Sequence, residues 1–489
     1  MPKNISKYIY TFLGPFLAIL IWTLTDLDKS NPNVSLMAGI AVWMSTWWFT
    51  EAVHIAVTAL VPFLMMPILG ISDTKSVAQQ YTDSIIFLFI GGFMLAFAIE
   101  KWQLHKRIAI KILSLVGTKP ANILLGVMLS AYLISNWISN TATTMMLFGA
   151  VLALIHETDE FIHGEKSKNR FAAAVLLGLA FSATIGGMAT PVGTPPNMYF
   201  FKAYKEAFPT LNDLNFLKWA TIGFPLSALF LVCTFFVLRY YYLKKSVVIN
   251  DIEAHHFKKQ YKNLGSFSYE EKWIGFIFIT CMVLWFTRAD IPFETFTFKG
   301  WNHLFSKSNL VDDATVAIAA ALLLFLIPSK QKPNEAILEW EDARKIRYDI
   351  ILMFGSGFAL AHGFDVSGLS DWLANTLAAL KGVPVFFIIL GICTIVTIIS
   401  EFASNIASIQ LAIPVMIALQ KDLELPPLLL MIPATFAASL GFMLPVATAA
   451  NTIVFGTKRI DIKDMFRVGI VLDIIGITII TVFCYLYLS

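Results

Sequence analysis

Hydroxyl and amide side chains gather at four places in this chain, each inside a long apolar run: 135–144, 190–197, 400–408 and 444–451. Ser, Thr and Asn offer hard oxygen donors there. Such donors suit a small cation such as sodium better than a metal that seeks thiolate or imidazole. Helix-breaking Pro191, Pro195, Pro196 and Pro445 stand among them, with Gly193. A helix broken in mid-bilayer frees carbonyls at the end of one half and amides at the start of the other. The carbonyls attract cations and the amides attract anions. Within 135–150, 182–200, 400–414 and 440–456 there is no Lys or Arg, and Glu401 is the only charge. An anion held there must be offset by helix ends, hydroxyls, amides and co-bound cations, which couples the two kinds of ligand.

The elements that position these residues are those of a membrane protein. Of the 489 residues 57% are hydrophobic and 14% charged, against about a quarter charged in soluble domains. Apolar runs of bilayer-spanning length recur throughout. Candidate spans are 8–25, 34–50, 52–70 and 83–100, then an amphipathic interfacial stretch at 101–117. Apolar segments 121–156 and 171–206 are broken in the middle, and a span follows at 217–243. Residues 244–271 read as a polar cytoplasmic linker. Spans at 272–289, 311–328 and 349–362 lead to an amphipathic stretch at 365–382. Broken segments at 384–420 and 427–456 and a last span at 465–488 complete the chain. Lys3 and Lys7 precede an apolar run with no small-residue cleavage site, so that run is expected to be a first span. A net charge of +3 gives no reason to expect nucleic acid. No HExxH, GxSxG or Cys/His cluster points to an enzyme, and the four cysteines lie singly in apolar segments as small core residues.

The second half repeats the first. At an offset of 265, Ser135, Ser139, Asn140 and Ala142 match Ser400, Ser404, Asn405 and Ala407. At an offset of 254, Pro191-Val192-x-Thr194-x-x-Asn197 matches Pro445-Val446-x-Thr448-x-x-Asn451. With Lys3 and Lys7 inside, alternating spans place the Lys- and Arg-rich segments 101–117, 157–170, 244–271, 329–348 and 457–464 inside as well, as the positive-inside rule asks. The two amphipathic stretches then fall on opposite faces, the mark of an inverted-topology repeat. The expected fold is an all-α polytopic protein of the inner (plasma) membrane, with about eleven transmembrane helices and two re-entrant hairpins. The N-terminus is cytoplasmic and the C-terminus outside. The divisions are an N-terminal span at 1–33, a first repeat at 34–243, the linker at 244–271 and a second repeat at 272–489.

At these residues the chain resembles the divalent anion/sodium symporter family, which includes the INDY-type dicarboxylate transporters. Ser139-Asn140-Thr141 has the form of the family's hairpin-tip motif. Trp47-Trp48-x-x-Glu51-Ala52, Thr58-Ala59-Leu60-x-Pro62, Pro67, Gly70 and the stretch from Pro191 to Asn197 also fit. The resemblance implies a homodimer whose protomers have a scaffold domain and a transport domain that moves like an elevator. It implies at least two sodium sites. One would use Ser135, Ser139, Asn140 and backbone at Gly193; the other would use Ser400, Ser404, Asn405 and backbone at Ala447. It implies that a dicarboxylate such as succinate sits between the tips, against Asn140, Thr141, Thr194, Ser404, Asn405 and Thr448. Two departures stand out. The second motif reads Ser404-Asn405-Ile406 and lacks a third hydroxyl, and Ala449-Ala450 replace Pro195-Pro196. Citrate or sulfate symport and dicarboxylate exchange remain open, as do a proton-coupled carrier and an uncoupled channel.

Among other polar residues, Glu51 is expected in a structural or gating network, His54 and His362 in packing, and Asp313 at a span edge. Glu401 could help compensate cations. Arg288, Asp290, Glu294 and Lys299 are expected on a solvated outer loop.

Overall fold

The computed structural model describes residues 3–117, 119–159, 162, 165–209, 211, 214–243, 256–292, 296–307, 310–377 and 380–488. The fold is almost entirely helical; a two-stranded ribbon pairs Ile291–Pro292 with Thr297–Phe298. Among the described residues, eight helices are long and apolar enough to cross a membrane. Several shorter apolar helices supplement them, because interruptions divide the apolar runs.

Both expected hairpins form. In the first, Pro120–Ser135 turns through residues 136–139 into Asn140–Asp159. In the second, Val385–Phe402 turns through residues 403–404 into Asn405–Leu423. Both broken helices form as well: Glu165–Gly187 and Pro195–Ala207 in the first half, Pro427–Ala437 and Ala449–Phe455 in the second. The expected span at 52–70 is split into Ile55–Thr58 and Val61–Ile68. Pro62 lacks the N–H that would continue a helix but suits its first turn. Of the stretch read as a linker, 244–271, residues 244–255 lie outside the described residues; beyond them stand a short helix, His256–Asn263, and the start of Tyr269–Thr287.

The broken helices form the centre. Every residue from 171 to 194 and from 429 to 442 is buried, so both unwound segments begin inside protein, the condition for irregular backbone at membrane depth. Phe216–Leu243 backs the first loop and Ile462–Leu488 the second. In each the contact is a glycine. A Cβ on Gly223 would lie 2.6 Å from Ala189 O, and one on Gly469 would collide with Phe442 O. Crosswise packing ties the halves together. Asn140–Asp159 packs on Ala449–Phe455, and Asn405–Leu423 packs on Pro195–Ala207.

The basic amphipathic stretch becomes the helix Leu104–Val116. Buried Arg107 pairs with buried Glu271 at 2.7 Å and donates to Gly265 O at 2.9 Å. Glu271 also closes the N-terminus of its own helix by accepting from Ser268 N. One reading of the outer loop is corrected. Arg288 is buried and bonds Asp313 at 2.6 Å, because its guanidinium reaches back to the neighbouring helix start; Glu294 lies outside the described residues. His54 caps Ile55–Thr58 by accepting from Ala56 N, and His362 bonds Ser72 at 3.1 Å. Glu51 is exposed, in a left-handed conformation (φ 47°) that ends the helix Asn33–Thr50.

Removing one member of a buried ion pair leaves its partner charged and unpaired, which costs about 3–5 kcal/mol. Arg107→Met is therefore expected to lower the thermal unfolding midpoint of the purified protein in detergent. Adding Glu271→Gln should recover part of the loss, and a midpoint unchanged by Arg107→Met would show that the pair does not hold this helix.

Candidate functional site

Each hairpin tip meets the unwound loop of its own repeat. In the first, the Ser135 hydroxyl lies 3.0 Å from Asn140 Oδ1 and 3.4 Å from Ile138 O. In the second, the Ser400 hydroxyl lies 3.1 Å from Asn405 Oδ1 and 2.7 Å from Ala438 O. One hydroxyl carries one proton and can satisfy only one of two oxygens. The second tip therefore gathers three oxygens around a single donor; in the first the Thr143 hydroxyl also donates to Ile138 O at 3.4 Å, which leaves the Ser135 hydroxyl to Asn140 Oδ1, and both are oxygen-rich arrangements that suit a cation.

Glycines let the loops come this close. A Cβ on Gly187 would collide with Asn140 Oδ1, and a Cβ on Gly193 would lie 3.0 Å from Ser135 O. On the second side a Cβ on Gly441 would lie 3.6 Å from Ser400 O and 3.3 Å from Ala447 Cβ. The sequence-predicted residues thus come together as two groups: Ser135, Asn140 and Gly193, and Ser400, Asn405 and Ala447. Ser139 and Ser404 sit at the tips as helix caps, accepting from Ala142 N at 3.4 Å and Ala407 N at 3.3 Å.

On the side expected to meet an anion, Asn140, Thr141, Asn405 and Thr448 are half-buried and Ser404 is exposed, whereas Thr194 is buried. Thr448 caps its half-helix by accepting from Asn451 N at 3.1 Å. Pro195 and Pro196 have no N–H to offer at the start of the first half-helix, while Ala449 and Ala450 keep theirs. The second half-helix therefore retains amides where Ile406 removes a hydroxyl. Among the described residues no group of three or more His, Cys, Asp or Glu side chains could hold a metal ion.

The halves fasten loop to hairpin differently. In the first, the Thr190 hydroxyl donates to Asn136 O and accepts from Gly193 N at 3.2 Å. The Asn136 amide, with its nitrogen facing them, lies 2.8 Å from Tyr132 O and 2.9 Å from Gly186 O. In the second, Glu401 stands where the offset of 265 puts Asn136, fully buried, and accepts from Met443 N at 2.8 Å and Leu444 N at 3.0 Å. Buried Asp473 faces the same carboxylate from the last helix. Sequence reasoning weighed Glu401 as a cation compensator and overlooked its structural bonds; it overlooked Asp473 altogether. A single acid in a final span was the available signal for Asp473.

Paired hairpins and broken helices of this kind make a membrane-transporter fold, and the same fold is found among solved structures. The transporter MtrF of Neisseria gonorrhoeae matches with a TM-score of 0.57 at 12% identity, over 84% of this chain and 83% of its own. The YdaH transporter of Alcanivorax borkumensis matches with a TM-score of 0.51 at 13% identity, over 84% and 87%. At such identities the likeness concerns fold alone. The particular family follows from sequence. Residues 5–489 match the family described as "Sodium:sulfate symporter transmembrane region", and the chain belongs to that family of membrane transporters rather than to any class of enzyme. Among its relatives, a sodium-dependent dicarboxylate transporter of Staphylococcus saprophyticus is 36% identical over 99% of this chain and 91% of its own length. One of Staphylococcus aureus is 35% identical over 99% and 92%.

The unequal fastening of the loops has a measurable consequence. Glu401→Ala takes the side-chain acceptor from the part-buried amides of Met443 and Leu444, two bonds worth about 1.5–3 kcal/mol each, whereas Thr190→Val takes one neutral bond from Asn136 O and leaves Gly193 N its weaker bond to Thr190 O, about 1–3 kcal/mol in all. The unfolding midpoint is expected to fall further for Glu401→Ala than for Thr190→Val. Equal losses would mean that the carboxylate carries no special share in holding the second loop.

Proposed function

We propose that the chain is a sodium-coupled symporter of a divalent anion, a C4 dicarboxylate such as succinate, working in the plasma membrane as a homodimer. The observation that carries this reading is the pair of mirror-equivalent oxygen clusters, Ser135 with Asn140 and Ser400 with Asn405, each against an unwound loop. Two such clusters support at least two sodium ions. The names of the staphylococcal relatives support sodium and dicarboxylate together. The anion would lie between the tips, touching Asn140, Thr141, Asn405 and Thr448 and the amides of the second half-helix. With no basic side chain among these residues, the sodium ions would provide its counter-charge. The body formed by the hairpins and broken helices would move as an elevator against a scaffold that includes Asn33–Thr50 and Ser84–Lys101. Citrate or sulfate symport and dicarboxylate exchange are the nearest rivals, because Ile406 makes the anion side unequal.

The direct test is uptake and counterflow of radiolabelled succinate, citrate and sulfate in proteoliposomes, with sodium or with choline. Succinate uptake that needs sodium is expected; uptake that follows a pH gradient with no response to sodium would overturn the reading. Asn140→Ala and Asn405→Ala are each expected to abolish sodium-dependent uptake while the protein remains folded and dimeric by size-exclusion chromatography. Full uptake by either variant would remove that site. Ile406→Thr is expected to change the ranking of the three anions more than the sodium dependence. A shifted sodium response with unchanged ranking would contradict that assignment.

A further inference from the structure

The repeated motif leaves one matched pair of residues without a role. Asn197 and Asn451 end the two Pro-Val-x-Thr-x-x-Asn stretches, and neither belongs to the two oxygen clusters. Both are fully buried. Their side chains make the same bonds in both halves. Asn197 Nδ2 donates to Gly187 O at 3.0 Å and Thr190 O at 2.8 Å. Asn451 Nδ2 donates to Gly441 O at 2.9 Å and Leu444 O at 3.2 Å. The offset of 254 that relates the asparagines also relates Gly187 to Gly441 and Thr190 to Leu444. The far carbonyl of each pair accepts from the same turn as well: Gly193 N bonds Thr190 O at 3.4 Å, and Ala447 N bonds Leu444 O at 3.3 Å.

Each amide therefore closes its unwound loop into a ring from the first turn of the following half-helix, reaching the last residue of Glu165–Gly187 in the first half and Gly441, within the loop beyond Pro427–Ala437, in the second. The chemistry selects Asn. Two carbonyls need two N–H donors on one short arm; Asp has none when ionised, and Ser has one hydroxyl proton. In both halves the other end of the amide is left over: Asn197 Oδ1 and Asn451 Oδ1 are buried without a hydrogen-bond partner. One clipped carbonyl of each pair belongs to a glycine that meets the hairpin tip, Gly187 against Asn140 Oδ1 and Gly441 near Ser400 O.

We propose that Asn197 and Asn451 are positioning residues for the two cation sites, holding each unwound loop at the spacing at which its oxygens and those of the hairpin tip can share one sodium ion. They touch neither the cation nor the anion. The inference rests on the sodium-coupled reading above. Without the clip a loop carbonyl can turn away, and the energy needed to order the loop is drawn from sodium binding.

The test uses Asn197→Leu and Asn451→Leu, which keep the branched shape of the side chain and delete both donors. Two quantities are measured on the full-length protein. One is the sodium concentration for half-maximal uptake of succinate in proteoliposomes. The other is the sodium concentration, against choline at constant ionic strength, that half-saturates the rise in unfolding midpoint of the purified transporter. Each variant is expected to shift both upward by about tenfold, with the succinate concentration for half-maximal uptake at saturating sodium within about twofold of the unmodified chain. A purely structural role would lower the unfolding midpoint or maximal rate and leave both sodium values in place, and that result overturns the proposal. If a Leu variant does not fold, Asn197→Ser or Asn451→Ser, which leaves one donor and room for water, is expected to show a smaller shift in the same direction. An unchanged sodium value in the Ser variant also overturns it. The unmodified chain separates the two ideas. Absence of any sodium response there rejects the symport reading, whereas a sodium response equal in all variants rejects only the clip.

Discussion

Backbone taken out of a helix in the middle of a bilayer must find partners within the protein, and this requirement governs the architecture. Each unwound segment exposes carbonyls and amides that lipid cannot satisfy. The structure meets the need by surrounding both segments. A hairpin tip covers one side, a long helix backs the other through Gly223 or Gly469, and a buried side chain bonds the loop from within. The groups left over are oxygens, gathered where Ser135 and Asn140, or Ser400 and Asn405, face the loop. Oxygen clusters of a kind that suits a hard cation thus arise from the same interruptions that endanger the fold.

The two halves share this solution but differ in charge. The first loop is fastened by neutral groups, Thr190 and Asn136; the second is fastened by Glu401, with Asp473 behind it. A carboxylate beside Ser400 puts a negative field next to the second oxygen cluster and none next to the first. The amides follow the same division, since Pro195 and Pro196 remove from the first half-helix what Ala449 and Ala450 keep in the second. The inverted repeat is therefore symmetric in backbone and asymmetric in electrostatics. The position of Ile406 belongs to the same pattern, because the half that loses a side-chain hydroxyl has more main-chain donors.

Much of this was legible in the residues. Ser-x-x-x-Ser-Asn and Pro-Val-x-Thr-x-x-Asn recur at fixed offsets, and polar groups are too costly in lipid to recur there without purpose, so hairpins and broken helices could be placed to within a few residues. What could not be read were contacts between residues far apart in sequence. Arg288 looked like a surface charge because its local surroundings are polar and aromatic; its partner Asp313 is brought near only by packing of the helix that ends before Arg288, Tyr269–Thr287, on the helix that begins at Asp313. Asp473 sits in a segment whose apolar character masks one acid. Asn197 and Asn451 were visible as a match, but their bonds run backward to carbonyls, and carbonyls have no sequence signature. The split at 55–68 was missed because apolar length suggested one span, while Pro62 and the turn at Glu51 allow two short helices.

The absence of basic side chains around the tips has a final consequence for the proposed cycle. An Arg or Lys would bind a dicarboxylate permanently and in either orientation of the carrier, and the resulting complex could cross the membrane without sodium. Hydroxyls, amides and half-helix ends are too weak alone to repay the desolvation of two carboxylates. Relative to the empty carrier, one loaded with the anion and two sodium ions adds no net charge to the low-dielectric interior, while a carrier holding the anion alone adds two. Coupling follows from this difference in charging energy, because partly loaded forms are the ones that resist movement through the bilayer. In the proposed cycle, holding the oxygens of each cluster at cation spacing would be the step on which tight coupling depends, and the groups proposed for it are neutral side-chain amides bonded to backbone carbonyls rather than any charged ligand.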